Sequence, residues 1–570
     1  MSPRSLVVTA ETDQGSGHPL WFLGITLLVA AVMRLYALGR ESLWCDEAYT
    51  ALTVRLPLGE MVSRLMRTDD APPFFYMLQK LNTTLAGDSE AALRAGPALA
   101  GILAVAVVLW WAHRRGTGAS RWSAVLLAVA TYGVFHARQA RSYALLILLA
   151  LLFVLSAKEM LLGRRRVGPL LAISGALLCL THHVAIVLVL ASLPLWPLGT
   201  AGRPRLGSWI LWHAPPLATW AVLWLAASSQ LATHAELNAW TAHYWQDHSL
   251  GLAPLYSLGA FIPGGLPPSV LGSGFAASGR ISPFWTILSA ALGLVCLLAA
   301  VLRTRGPSPG HPSPARREIA VEAAFLFLPL LALLAASLVV TPVYILTRTD
   351  AVAYPAFALL IGRGLANLPR RVARGILFFW VVMSLVSLAP TYGFGDPGLA
   401  KGIDRRLAQE MAADDLARED WVVHTFMTAP SIEYYLDRMG APHRSAWFPK
   451  VAGDNIASEW PTPIDSLQAY VDEAFELRRA MEAALPEDGA AWIFGIVETS
   501  TAKAIMRDRA PEMLTVEQIG YPVSALVYAL VGTRPVRPAS IYTQDWVAGL
   551  RVVLRIPRRS WVPPDARSTD

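Results

Sequence analysis

Long apolar blocks alternate with short polar joints along most of this chain. The blocks run for about 17 to 22 residues, the length an α-helix needs to cross the hydrocarbon of a bilayer. They lie near residues 20–38, 91–112, 122–137, 143–162, 169–181, 184–199, 208–227, 283–302, 319–341, 350–366 and 376–391, each bounded by Arg, Pro or Gly. The pattern predicts a polytopic α-helical membrane protein of about eleven transmembrane helices. The block at 169–181 is short and reads as tilted or incompletely buried. The first block follows a polar stretch with no small-residue cleavage site after it, which predicts a retained helix rather than a signal peptide.

Beyond residue 393 the apolar runs shrink to strand length: "DWVVHTF" (Asp420–Phe426), "AAWIFGIV" (Ala490–Val497) and "SALVYALVG" (Ser524–Gly532). A charged helical stretch, "LQAYVDEAFELRRAMEAAL" (Leu467–Leu485), lies between them. Strands alternating with helices predict an α/β domain outside the membrane over 393–570, following a transmembrane module at 1–392. This region carries no Gly-rich phosphate loop and no nucleophile motif, and "GFGDPG" (Gly393–Gly398) reads as a turn leaving the last span.

The arginines give the blocks an orientation. They concentrate in every second joint: Arg114, Arg115 and Arg121; Arg164, Arg165 and Arg166; Arg203 and Arg205; Arg303, Arg305, Arg316 and Arg317; Arg370, Arg371 and Arg374. Positive joints stay in the cytoplasm, so the N-terminus is expected inside and the C-terminal domain outside. Composition agrees, with 54% hydrophobic and only 16% charged residues and a mean hydropathy of +0.43. The pI of 9.3 comes from these joints, so it reads as a topology signal, with membrane lipids and no nucleic acid as partners. Cys179 and Cys296 fall inside apolar blocks as packing residues. Cys45 has no partner at disulfide or zinc spacing.

Two outward loops are long. Residues 39–90 include "LGEMVSRLM", which puts Leu58, Met61, Leu65 and Met66 along one face of a helix suited to the interface plane. Residues 228–282 carry Trp240, Tyr244, Trp245 and Tyr256, which read first as an aromatic belt at headgroup level. Four polar clusters also fall on this outer side, where ionisable groups near lipid are costly and usually functional. They are Asp46–Glu47 in "ESLWCDEAYT"; Asp69 and Asp70 in "TDDAPPFFY"; Arg138, Arg141 and Tyr143 in "HARQARSYA"; and His182–His183 in "THH" with Tyr344, Arg348 and Asp350 in "YILTRTD". Each has a bland alternative: a solvated carboxylate, a headgroup-binding arginine, a helix cap or a packed histidine. Convergence on one membrane face instead favours a site for a phosphate leaving group and an acceptor hydroxyl.

The order of these segments resembles the GT-C-fold glycosyltransferases of the bacterial protein-mannosyltransferase-like superfamily, which includes lipid A aminoarabinose transferases. "RLYALGRESLWCDEAY" resembles that family's first-loop Trp-x-Asp-Glu signature. "DDAPPFFYML" is similar to its Asp-x-His-Pro-Pro segment and "ARQARSYALL" to its Gln-x-x-Arg-x-Tyr hairpin. "THH" resembles its Thr-His-Tyr element, and "RTDAVAYPAFALLIGRGL" its Arg-Tyr…Pro helix. The resemblance covers residues 20–390 and departs at Ala71, where the family has histidine, and at Thr349, where it has tyrosine.

The resemblance implies transfer of a sugar from a polyprenyl-phosphate-linked donor to a lipid, glycan or protein hydroxyl, with inversion, on the outer face of the inner membrane. Asp46 is then the general base, flanked by Trp44 and Tyr49. Glu47 orients it, binds the acceptor or helps to hold a divalent metal ion. Arg141 and Arg348 face the phosphate, with Asp69, Asp70, Tyr143, His182, His183 and Tyr344 as substrate contacts. Two rival classes are a transporter or flippase of a lipid-linked or anionic solute, which puts charges at the midplane on broken helices, and a sensor, which needs an output domain.

Overall fold

A computed structural model describes residues 20–68, 72–115, 118–200, 202–228, 245, 249–264, 283–302, 314–340, 342–392, 404–413, 420–424, 429–448, 467–496, 513–519, 523–543 and 550–562. Asp69, Asp70 and Ala71, most of the 228–282 loop with Trp240 and Tyr244, and "GFGDPG" lie outside the described residues.

Helices stand where the apolar blocks place them. In chain order they are α1 (Leu20–Leu35), α2 (Cys45–Arg55), α3 (Leu58–Thr68), α4 (Phe74–Ala86), α5 (Glu90–Arg115), α6 (Gly118–Val129), α7 (Thr131–Ala137), α8 (Tyr143–Leu161), α9 (Gly168–Thr181), α10 (Ile186–Ser192) and α11 (Leu206–Ser228). They continue as α12 (Ala253–Phe261), α13 (Pro283–Leu302), α14 (Pro314–Val339), α15 (Tyr354–Asn367) and α16 (Arg370–Leu388). Within α5, α8, α13, α14 and α16 lie segments long and apolar enough to cross a membrane unaided. The bundle also leaves Ile25, Leu28, Leu103, Leu294, Leu331 and Phe378 exposed on its outside. An apolar exterior is what lipid requires and water penalises. The protein is a helical membrane protein.

Two expected spans are not single helices. The block at 122–137 breaks at Ala130, whose ψ of 131° leaves the helix before α7 restarts. A helix end inside a bundle exposes unsatisfied carbonyls. The buried guanidinium of Arg34, at the end of α1, meets this need by donating to the carbonyls of Leu127 and Ala128 at 2.8 and 2.9 Å. The block at 184–199 consists of α10 between 3-10 turns at His183–Ala185 and Leu193–Leu198, the second holding Pro197.

After α16 come α17 (Asp404–Ala413), α18 (Ala429–Met439), α19 (Leu467–Ala484) and α20 (Val523–Val531). With them is one five-stranded sheet in the order β2-β1-β3-β5-β4. The strands are β1 (Trp421–His424), β2 (Arg444–Trp447), β3 (Ala490–Ile496), β4 (Pro538–Thr543) and β5 (Leu550–Pro557). β1 runs parallel to β2 and β3, while β5 is antiparallel to both β3 and β4. Alternate residues part to the two faces, as a pleated strand demands. Val423, Ala491, Ile493, Val552 and Leu554 pack with residues of α19 and α20. Val422, Trp492, Phe494 and Val553 pack with residues of α17 and α18.

One expected strand is wrong. "SALVYALVG" is helix α20, buried on nearly every side and followed by Gly532 at φ +66°. A nine-residue apolar run carries no period that separates a buried strand from a buried helix, and a left-handed glycine is a helix stop.

On α18, Glu433 accepts bonds from the imidazoles of His424 and His443 and from the Ser445 hydroxyl. Burial alone would raise this carboxyl, yet those donors hold it well below the usual carboxylate range. Burial works against a charged His443, but the bond to Glu433 lifts it above the ordinary histidine value. The cluster ties α18 to the edge of the sheet.

Candidate functional site

The site begins where α2 begins. Trp44 caps the helix in an extended conformation, so Asp46 and Glu47 fall in its first turn, where the positive end of the helix dipole favours carboxylates. The two acids then part company. Glu47 is fully buried and paired with Arg94 of α5: Nε donates to Oε1 at 2.7 Å and Nη2 to Oε2 at 2.6 Å. The Ala140 amide donates to Oε1 at 2.8 Å. The same guanidinium donates to the carbonyls of Leu38, Glu41 and Ser42. Of the three roles expected of Glu47, this pairing suits orienting its neighbour better than binding an acceptor or a metal ion. A carboxylate bound bidentately to one arginine and to a backbone amide has little left to offer a substrate.

Asp46 faces the other way. Its Oδ2 lies 3.8 Å from Nε of Arg141 and 3.4 Å from Nη2 of Arg348. The Asp46 side chain is 3% exposed, that of Arg141 13% and that of Arg348 25%. The site thus opens past its cations, and the three side chains together carry one excess positive charge. Arg141 donates to the Tyr76 hydroxyl at 3.1 Å, and Arg348 lies over the Trp44 ring at 5.8 Å. The aromatic stretch of "TDDAPPFFY" is the first turn of α4, which is how Tyr76 arrives here.

Different elements present the two arginines. Arg141 sits on the hairpin between α7 and α8, the same hairpin whose Ala140 amide binds Glu47. Three residues earlier, Arg138 points elsewhere. It is buried, donates to the carbonyls of Arg34, Tyr36 and Ala37, and lies over Tyr392. Arg348 follows Thr347, a non-glycine residue at φ +63°. Such a backbone costs on the order of 1 kcal/mol and persists only when its surroundings enforce it. Here they do. Ser337 accepts from the Val343 and Tyr344 amides, and the Thr349 hydroxyl accepts from the Ile345 amide. Behind the turn, the buried Asp350 carboxylate accepts from Tyr132 at 3.0 Å and from Ser257 of α12 at 2.6 Å.

Tyr344 belongs to this support and not to the exposed site. It is fully buried, with its hydroxyl 2.8 Å from that of Ser257 and its carbonyl accepting from Trp245 at 2.7 Å. It was expected as a substrate contact, and the structure buries it. Trp245 likewise packs inside the protein and is not part of an interfacial belt. Tyr143 is buried between His136 and His182, with ring centroids 5.2 and 6.2 Å away. The half-buried His182 accepts through Nδ1 from the Val184 amide, and His183 opens the following 3-10 turn. Among the described residues, no group of three or more His, Cys, Asp and Glu side chains is placed to hold a metal ion.

Arg94, Tyr76, Tyr132 and Ser257 were not marked by the sequence. Tyr76 stood in a quoted motif, but Arg94 is an isolated arginine at the foot of an apolar block with no spacing to flag it.

The fold and site define a class: a helical membrane protein with a carboxylate held between two guanidiniums at one end of its bundle. No family model matches the sequence, and no curated protein matches it. Among solved structures, the chain is similar to ArnT from Cupriavidus metallidurans in the apo state, at 15% identity and a TM-score of 0.40, covering 95% of this chain and 98% of that one. It is similar to the Archaeoglobus fulgidus oligosaccharyltransferase in the apo form, at 12% identity and a TM-score of 0.49, covering 94% and 76%. It is also similar to the arabinofuranosyltransferase AftD from Mycobacteria, at 14% identity and a TM-score of 0.43, covering 96% and 40%. These are distant likenesses, and what the site does is decided by its residues.

Proposed function

We propose that this protein is a membrane glycosyltransferase that moves a sugar from a polyprenyl-phosphate donor to a hydroxyl on a glycolipid, glycan or protein, with inversion. The observation that carries the reading is the convergence of Arg141 and Arg348 on Asp46 at the mouth of the site. Asp46 takes the proton from the acceptor hydroxyl as that oxygen attacks the anomeric carbon from the face opposite the phosphate. The bond between the anomeric carbon and the phosphate oxygen breaks, and its electron pair leaves on the phosphate. Two guanidiniums in a partly desolvated site stabilise that growing charge, while Glu47 and Arg94 keep the base in place.

Arg141→Ala or Arg348→Ala should weaken binding of undecaprenyl phosphate to the detergent-solubilised protein by about tenfold or more, the scale of a lost charge-assisted contact. Lysine should restore only part, because it keeps the charge and loses the planar fork. Wild-type affinity in Arg348→Ala would refute the phosphate site.

The localisation belongs to the same proposal. In a bacterial inner membrane, the arginine-rich joints put the N-terminus in the cytoplasm and the site and the segment after residue 393 outside. Protease added to intact spheroplasts should then digest that C-terminal segment, and full protection would overturn the orientation.

A further inference from the structure

The stretch from Gly39 to Trp44, which leads from α1 into α2, is held from two sides. On the bundle side Arg94 gathers the carbonyls of Leu38, Glu41 and Ser42. On the other side the contacts come from α17 and α18, nearly 400 residues further along the chain. The Leu43 amide donates to the Tyr435 hydroxyl at 2.7 Å, and that hydroxyl donates to Glu90 Oε1 at 3.2 Å. Glu90 also accepts from Arg405 at 3.0 Å and from Arg438 at 3.2 Å. Arg405 reaches back to the carbonyl of Arg40 at 2.6 Å. Apolar contact seals the joint: Leu43, Ala48 and Ala51 pack in one cluster with Leu407, Ala408, Ile432 and Leu436.

We infer that Tyr435 is a positioning residue for Asp46, so that the segment after the last span forms the outer half of the mould that sets the base. The inference rests on the proposed role of Asp46. The Tyr435 hydroxyl is buried and bonds the backbone three residues before Asp46, just ahead of the turn in which α2 starts. Losing it leaves the Leu43 amide without that buried acceptor and frees the first turn of α2 to tilt. A shift of about 1 Å in a reacting group costs up to about a hundredfold in rate. The two phosphate-facing arginines are carried by other elements, Arg141 by the α7–α8 hairpin and Arg348 by the turn after Thr347, so donor binding should survive.

The test compares Tyr435→Phe with Tyr434→Phe in the full chain. Tyr434 is the adjacent residue of α18; its hydroxyl donates to the Asp88 carbonyl at 2.6 Å and accepts from Arg438 at 2.8 Å, but makes no bond to the backbone ahead of α2. Each variant loses a hydroxyl that makes two hydrogen bonds, and the two should lose similar thermal stability in detergent. Only Tyr435→Phe should slow formation of the cell-envelope species that mass spectrometry detects in cells with this protein and not in cells lacking it, by about tenfold or more at matched protein level, with undecaprenyl phosphate bound no more weakly than by wild type. Equal rates in the two variants would overturn the inference, as would a loss of undecaprenyl phosphate binding in Tyr435→Phe. Should Tyr435→Phe not accumulate, Glu90→Gln, which weakens the acceptor of the same hydroxyl, must give the same split between rate and binding. Asp46→Asn run alongside separates the two levels. If it stays active the base assignment itself falls; if it is dead while Tyr435→Phe matches Tyr434→Phe, only the positioning role falls.

Discussion

Asp46→Asn should reduce transfer by a hundredfold or more, the usual scale for loss of a general base, while binding undecaprenyl phosphate more tightly than wild type. The second half of this expectation comes from the geometry. Oδ2 of Asp46 lies 3.8 and 3.4 Å from the two guanidiniums that the phosphate would use. Carboxylate and phosphate therefore compete for the same cations, and donor binding must draw the arginines partly away from Asp46. The neutral amide removes the competitor and keeps the shape. Even one-third of the roughly 4 kcal/mol that unit charges exchange near a protein surface would give about tenfold in affinity. Turnover above about a tenth of wild type would remove Asp46 as the base. Weaker phosphate binding in Asp46→Asn would show that carboxylate and phosphate do not share the arginines.

The second large effect falls on stability. Arg94→Ala should destabilise the protein by about 3–5 kcal/mol, because it strands the buried carboxylate of Glu47 and also removes the donor to three carbonyls. Glu47→Gln should be damaging too, leaving Arg94 buried without its counter-charge. Combining Glu47→Gln with Arg94→Met should be less severe than the two single losses added together, since no unpaired charge then remains. Detergent-solubilised variants heated and passed over a sizing column give the ranking. If Glu47→Gln proves as stable as wild type yet inactive, Glu47 acts in the chemistry after all.

The spans were legible because lipid imposes a demand that no tertiary context relaxes: about twenty apolar residues and every backbone group satisfied. The expectation failed at Ala130, where a distant side chain, Arg34, supplies the bonds that make a helix break tolerable. Asp46, Arg141 and Arg348 could be marked because charged residues beside apolar blocks are rare enough to stand out singly. Their mutual geometry could not. The sequence separates Asp46 as the base from Glu47 but leaves the role of Glu47 open; on a helix adjacent residues point about 100° apart, and one turned to the core while the other turned to the site. The segment after residue 393 was half legible. Short apolar runs announced β1 and β3 and misled at α20. β2, β4 and β5 were missed; the arginines at 551 and 555 interrupt the apolar run of β5.

At the far end of the bundle from Asp46, a second set of charges lies among the helices. Lys158 of α8 pairs with Glu318 at 3.0 Å and with Glu322, and Arg363 of α15 binds both acids at 2.8 to 3.0 Å. Glu322 and Lys158 are almost wholly buried. Lys158, Glu318 and Glu322 all lie within about two turns of a helix end, so each alone opposes membrane insertion by less than the roughly 2.5–3.5 kcal/mol of a charge at the centre of a span. Helix α14, with both acids, therefore gains its full stability in the bilayer only once Lys158, made some 160 residues earlier, is alongside. During synthesis Lys158 therefore meets the Trp111 ring of α5 first, and its pairing with the two acids waits until the later helix is made.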